Sequence, residues 1–169
     1  MKDLSRIRLL ISDVDGVLTD GRLIFDAAGV ESKEFHVRDG AGLKYWIRAG
    51  HRAALLTGRE STVVARRAAE LGIDLVEQGA TDKLPALGRL LAAAGCAAAE
   101  TAYLGDDLPD LPVLRAVGFA VAVADATEEV RAAADYVTAA RGGWGAVREV
   151  VELILKAQGR WDGIMARYR

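Results

Sequence analysis

Cysteine is all but absent from this chain of 169 residues: Cys96 stands alone. No intramolecular disulfide can form, which fits a reducing cytoplasm, and Cys96 reads as a small residue near a helix end. Histidine is nearly as scarce. His36 and His51 each lack a second histidine at ligand spacing, so a zinc centre of the usual nitrogen–sulfur kind has no ligand set, and both read as structural. Lysine and arginine form no long run, and the formal net charge is −2. The basic footprint of a nucleic-acid partner is therefore missing, whereas a small anionic substrate needs only a few well-placed cations. The apolar run at the start ends within a few residues at Ile11. It reads as a strand, too short for a signal peptide or a membrane span. Pro- and Ser-rich linkers are missing, and no segment repeats with the period of a solenoid.

What is present suits one domain spanning 1–169. The composition, 51% hydrophobic and 27% charged, is that of an ordinary globular chain, long enough to bury a core without staples. The run Ile7 to Ile11 predicts a first strand. Arg22 to Phe25 and Glu31 to Val37 flank Asp26-Ala27-Ala28-Gly29, a hairpin turn. A helix is expected after Asp39, read as its cap, with Leu43, Trp46 and Ile47 inside and Gly50 past its end. Strands follow at Ala53 to Leu56, Asp74 to Glu77, Thr101 to Leu104, Phe119 to Val123 and Tyr136 to Thr138. Helices are expected over Glu60 to Leu71, Asp82 to Ala94, Leu108 to Ala116, Thr127 to Ala134 and Trp144 to Ala157. The Ala-rich stretch Leu90 to Ala102 reads mostly as helix. Apolar strands alternating with amphipathic helices predict an α/β fold. It is a Rossmann-like, three-layer parallel sheet with helices on both faces, plus a β-hairpin insertion over 19–36 after strand one.

In open α/β sheets ligands bind beyond the carboxyl ends of the strands, so the residues at those ends carry the functional reading. Asp13-Val14-Asp15-Gly16 follows the first strand and Thr57-Gly58-Arg59 the second. Lys83 opens a helix. Gly105-Asp106-Asp107 follows the Thr101–Leu104 strand, with Asp110 beyond it. Any one of these is ordinary turn chemistry; four at one sheet edge form a constellation. Converging carboxylates repel unless a cation sits among them, and hard oxygen ligands favour Mg²⁺. Thr57 and Lys83 complement phosphate oxygens. Strand alternation would aim Asp13 and Asp15 to one side, one to attack phosphorus and one to handle the proton. The chemistry that fits is phosphoryl transfer.

These four motifs, in this order and over nearly the whole chain, resemble those of the haloacid dehalogenase superfamily of phosphatases. The resemblance is closer still to its small members without a large cap domain that act on keto-deoxy sugar acid phosphates. Leu18-Thr19-Asp20-Gly21, Val37-Arg38-Asp39-Gly40, Val121 to Ala126, Gly142 to Glu149 and Ala157-Gln158-Gly159 carry that likeness. Relatives acting on nine-carbon acids carry Glu where this chain has Arg59, which tilts the reading toward an eight-carbon substrate. The resemblance implies a Mg²⁺-dependent phosphoric monoester hydrolase. Asp13 would be nucleophile and metal ligand, and Asp15 the general acid/base with its carbonyl on the metal. Asp106 would complete the ligands. Thr57, Gly58 and Lys83 would bind phosphate. Arg59 and Arg67 would contact the sugar acid. Asp107 or Asp110 would orient Lys83 or metal-bound water; the sequence does not choose between them. It further implies a cytoplasmic homotetramer in which the hairpin and the 157–169 tail, freed by Arg141-Gly142-Gly143, reach neighbouring sites. Different-class alternatives are a phospho-receiver, which would place its acidic pair and phosphorylated Asp on different strands, and a catalytically silent assembly partner.

Overall fold

The structure, a computed structural model, describes residues 2–169. Strand β1 (Leu9–Ser12) leads into a hairpin of β2 (Ile24–Phe25) and β3 (Glu31–Ser32), then α1 (Val37–Arg48), β4 (Arg52–Leu56) and α2 (Thr62–Leu71). Next come β5 (Leu75–Glu77), α3 (Lys83–Ala94), β6 (Thr101–Gly105), α4 (Leu111–Ala116) and β7 (Phe119–Ala122). The chain closes with α5 (Glu128–Ala133), β8 (Tyr136–Val137), α6 (Ala146–Ala157) and α7 (Trp161–Met165).

Six parallel strands form one sheet in the order β5-β4-β1-β6-β7-β8. Every residue of β1, β6 and β7 is buried, because helices cover both faces and a continuous apolar strand is stable only there. α1 packs against α2 and α6, while α3 packs against α4 and α4 against α5. α6 buries Val147, Val150, Val151, Ile154 and Leu155, the spacing of one helical face. From β1 the chain steps out to β4 and β5, then returns to β6 on the other side of β1. That reversal opens a crevice beyond the carboxyl end of β1. The register fixes what lines it: Ser12 lies level with Leu55 on one side and Leu104 on the other. Asp13, Thr57 and Asp106 thus leave the sheet at nearly one height.

Several local expectations are corrected. The Ala-rich run is not mostly helix: α3 ends at Gly95 in the left-handed conformation, and only a 3₁₀ turn over Ala98–Glu100 follows before β6. Helix propensity there yields to the need for a strand that starts at Thr101. α6 begins at Ala146 rather than Trp144, since Gly145 precedes it at φ 102°. Asp39 does not cap its own helix. His36 does that, accepting from the Arg38 N–H, while Asp39 is buried in the first turn of α1. Its carboxylate accepts from the backbone N–H of Gly145 at 3.1 Å and of Arg148 at 2.8 Å, capping α6.

The Arg141-Gly142-Gly143 segment is pinned rather than loose. The Gly142 N–H donates to Asp125 at 2.9 Å and the Gly143 N–H to the Val17 carbonyl at 2.8 Å. Gly143 has φ 73°, and a Cβ there would lie 2.5 Å from the Asp20 nitrogen. The tail folds back on its own chain. The Gln158 amide donates to the carbonyls of Leu4 and Ile7, and its oxygen meets His51, which stacks on Trp46. Trp161 and Tyr168 pack edge-on against Tyr45, and Ile164 is buried.

Candidate active site

Three loops and one helix start build the site. Asp13 is fixed as soon as β1 ends, because its N–H donates to the Leu104 carbonyl at 3.0 Å and carries the sheet ladder one residue further. Thr57 is held in the same way, with its N–H on the Glu77 carbonyl at 2.9 Å. Lys83 is the first residue of α3, behind the cap Asp82, and its side chain is only 4% exposed. The Lys83 ammonium lies 3.2 Å from Asp13 Oδ1 and 2.6 Å from Asp110 Oδ1.

Asp110 is the hub beneath the site. Its Oδ1 also accepts from the Tyr103 hydroxyl at 2.5 Å, and its Oδ2 from the backbone N–H groups of Asp106 and Asp107 at 2.9 and 3.2 Å. Of the two carboxylates left open by the sequence, Asp110 touches Lys83, whereas Asp107 caps the 3₁₀ turn at Leu108. Asp13, Asp106 and Asp110 each offer an oxygen within 4.8 Å of the others. Gly16, at φ 98°, lets the loop pass directly over Asp106, where any Cβ would overlap the carboxylate.

A cavity of about 330 Å³ opens here, lined by Asp13, Asp15, Thr57, Gly58, Arg59, Lys83, Asp106, Asp107 and Asp110, with Gly21 and Pro109. Arg67 is not brought to it. That side chain lies on α2, paired with Glu70 at 2.9 Å and stacked over Phe35. A larger groove of about 600 Å³ runs along α6, but the carboxylates in it are spent. Glu149 accepts from Tyr136 and two backbone N–H groups, and Glu152 pairs with Arg148 and Lys156.

Residues 72–147 match the haloacid dehalogenase-like hydrolase family. The 3-deoxy-D-manno-octulosonate 8-phosphate phosphatase of Haemophilus influenzae is 48% identical over 157 residues, 93% of this chain and 87% of that protein. The chain belongs to the 3-deoxy-D-manno-octulosonate 8-phosphate phosphatase family. Its fold agrees with that of the phosphatase of this name from Moraxella catarrhalis, solved with a magnesium ion, a phosphate ion and a KDO molecule. The TM-score is 0.96 at 47% identity, covering 99% of this chain and 96% of that one. The cobalt-bound Haemophilus influenzae phosphatase gives 0.91 at 48% identity, covering 94% and 92%.

The donor set of this phosphatase-family chain fits a magnesium ion. Among the described residues Asp106 Oδ1 is buried without a hydrogen-bond partner, and Asp110 has both oxygens engaged. Asp13 and Asp106 are therefore the side-chain oxygens free to meet a cation, and a hard divalent ion suits them. Electrostatics agree. Burial, with repulsion from Asp110, pushes the Asp13 carboxyl up to about 7 despite the Lys83 ammonium. Burial and the charges of Asp13 and Asp110 push Asp106 to about 8.

The folded chain without metal therefore holds protons, between the ordinary carboxylate range and about pH 8, that the unfolded chain has released. Its stability falls as pH rises through that window, by on the order of 1 kcal/mol per pH unit for each group. Melting temperatures in EDTA are expected to drop steadily from about pH 5.5 to about pH 8.5. Mg²⁺ is expected to raise the melting temperature most at the alkaline end. A melting temperature in EDTA that climbs with pH would contradict this electrostatic reading.

Four contributors escaped the sequence reading: Lys33, Glu31, Ser61 and Tyr103. Lys33 Nζ lies 2.5 Å from Asp15 Oδ1 and 3.2 Å from Glu31, and Glu31 in turn accepts from Arg59 at 3.0 Å and from Ser61 Oγ at 2.5 Å. Two signals were available. Glu31 and Lys33 alternate along a strand and so share a side. Tyr103 puts a hydroxyl inside an otherwise apolar buried strand, where it needs a partner.

Proposed function

We propose that this chain hydrolyses 3-deoxy-D-manno-octulosonate 8-phosphate to the free eight-carbon sugar acid and inorganic phosphate, a step toward lipopolysaccharide precursors. The observation that carries the reading is the buried Lys83 between Asp13 and Asp110, beside an unpartnered Asp106 oxygen. It is an arrangement that neutralises a phosphoryl group at one aspartate. Asp13 attacks phosphorus as the sugar–oxygen bond to phosphorus breaks, and Asp15 gives its proton to the departing sugar oxygen. Water then attacks the aspartyl-phosphate, Asp15 takes the water proton, and Asp13 is released with free phosphate. Lys83 and Thr57 hold phosphate oxygens, and Gly58 lets the backbone approach them. Asp13, Asp106 and the Asp15 carbonyl would hold Mg²⁺, which supplies charge neutralisation at phosphorus.

Arg59, 41% exposed at the cavity rim, with its Nε buried and unpartnered among the described residues, would meet the sugar acid carboxylate. Assembly as a cytoplasmic homotetramer belongs to the same reading. Leu23, Ile24, Phe25 and Val30 are 52, 36, 54 and 60% exposed on the hairpin, and an isolated two-stranded hairpin is marginal in water. Coverage by other copies explains both facts.

The test sets eight- and nine-carbon keto-deoxy sugar acid phosphates side by side, with Mg²⁺ and with EDTA, and follows the mass by light scattering. Mg²⁺-dependent release of phosphate, at least about tenfold faster from the eight-carbon substrate, is expected; tenfold corresponds to about 1.4 kcal/mol of discrimination. Preference for the nine-carbon acid would reassign the substrate. Single phosphorylation without release would point to a receiver, and no reaction to a silent partner.

A further inference from the structure

The hairpin, exposed along β2, buries one charged side chain beside β3. Lys33 is 2% exposed at its side chain, between Asp15 Oδ1 at 2.5 Å and Glu31 Oε1 at 3.2 Å. A lysine on a surface hairpin has water within easy reach, and taking an ammonium out of water is costly unless carboxylates meet it. Glu31 fastens the strand to the start of α2 through Ser61 Oγ and Arg59. Asp15, Glu31, Lys33 and Arg59 then form a quartet whose charges cancel. Lys33 occupies one oxygen of Asp15. The other, Oδ2, has Arg59 Nε at 3.9 Å, beyond hydrogen-bond range, and is left free on a cavity-lining residue.

We infer that Lys33 is a positioning residue that fixes the Asp15 carboxylate through its Oδ1, so that Oδ2 is the atom delivering the proton to the leaving oxygen. The inference rests on the proton-transfer role proposed above for Asp15. Asp15 stands in the loop beyond β1, with no ladder to hold it. Its side chain depends on this contact, made by a segment 18 residues away.

Leaving groups separate positioning from mere folding. A sugar alkoxide must be protonated as it departs, whereas 4-nitrophenolate leaves without help. General acid assistance contributes about 10²–10⁴-fold where it is needed. Lys33→Met is expected to lower kcat/KM about 50-fold for the sugar phosphate and about 3-fold for 4-nitrophenyl phosphate. Lys33→Arg should restore part of the sugar phosphate rate. Equal losses on both substrates, no loss on either, or a change of mass by light scattering would overturn the positioning role. Failure of the wild type on the eight-carbon substrate, with aryl phosphate still hydrolysed, would instead sink the substrate reading. The comparison is then made on whichever alkyl phosphate the wild type accepts.

Discussion

Asp13→Asn is expected to abolish turnover, by about 10⁴-fold or more, while raising the melting temperature of the metal-free protein. The two effects share one cause. Asp13 is 7% exposed and faces the Asp110 and Asp106 carboxylates across a space too small to screen them. The nucleophile role proposed for it requires a charge that the fold tolerates poorly. Asparagine keeps the shape and removes both the nucleophile and the repulsion, a gain on the order of 1–3 kcal/mol at alkaline pH. Lys83 is not orphaned by the change, because Asp110 still holds it at 2.6 Å. The check is a phosphate-release assay beside thermal melts in EDTA at about pH 8. Activity above about 1% of wild type would move the nucleophile elsewhere, and a lowered melting temperature would mean that Asp13 pairs with Lys83 more strongly than it is repelled.

The parts of this site legible in the sequence are those set by the sheet. Asp13, Thr57 and Asp106 follow apolar runs that could only be buried parallel strands, and neighbouring strands in register bring their ends together without further information. Lys83 was legible for a related reason: Asp82 caps the helix that it opens. The illegible parts depend on contacts between distant segments. Asp39 looked like a local cap and instead satisfies the start of a helix more than a hundred residues later. Lys33 directly follows β3, in a hairpin whose strands are only two residues long. No periodicity announces which way such strands lean, and polar contacts to Ser61, Arg59 and Asp15 decide it. Arg67 shows the converse. A helix cation with no fixed strand end nearby is claimed by the Glu70 partner three residues on and by Phe35.

Lys83→Met reverses the stability outcome of Asp13→Asn. Turnover is expected to fall about 10³-fold, the scale of losing one transition-state charge contact, and the metal-free protein to lose about 3–5 kcal/mol of stability. Burial works against the Lys83 charge, yet Asp13 and Asp110 outweigh it and hold its pKa above the ordinary lysine value. The ammonium is thus the counter-charge for two buried carboxylates at once, with the Tyr103 hydroxyl as its third neighbour at 3.3 Å. Methionine fills the channel but leaves both carboxylates facing each other. Without the ammonium that lowers it, the Asp13 carboxyl is pushed up further, and a protonated Asp13 is no nucleophile. The loss in rate should therefore deepen as pH falls. The pairing also predicts non-additivity: in the double variant with Asp13→Asn, the facing carboxylate is gone and Asp110 is still satisfied by Tyr103 and two backbone N–H groups. That double variant should be more stable than the sum of the two single changes implies, by a coupling on the order of 1–3 kcal/mol in a double-mutant cycle of chemical unfolding in EDTA. Strict additivity, or a Lys83→Met protein as stable as wild type, would mean that the three carboxylates do not depend on this lysine to coexist.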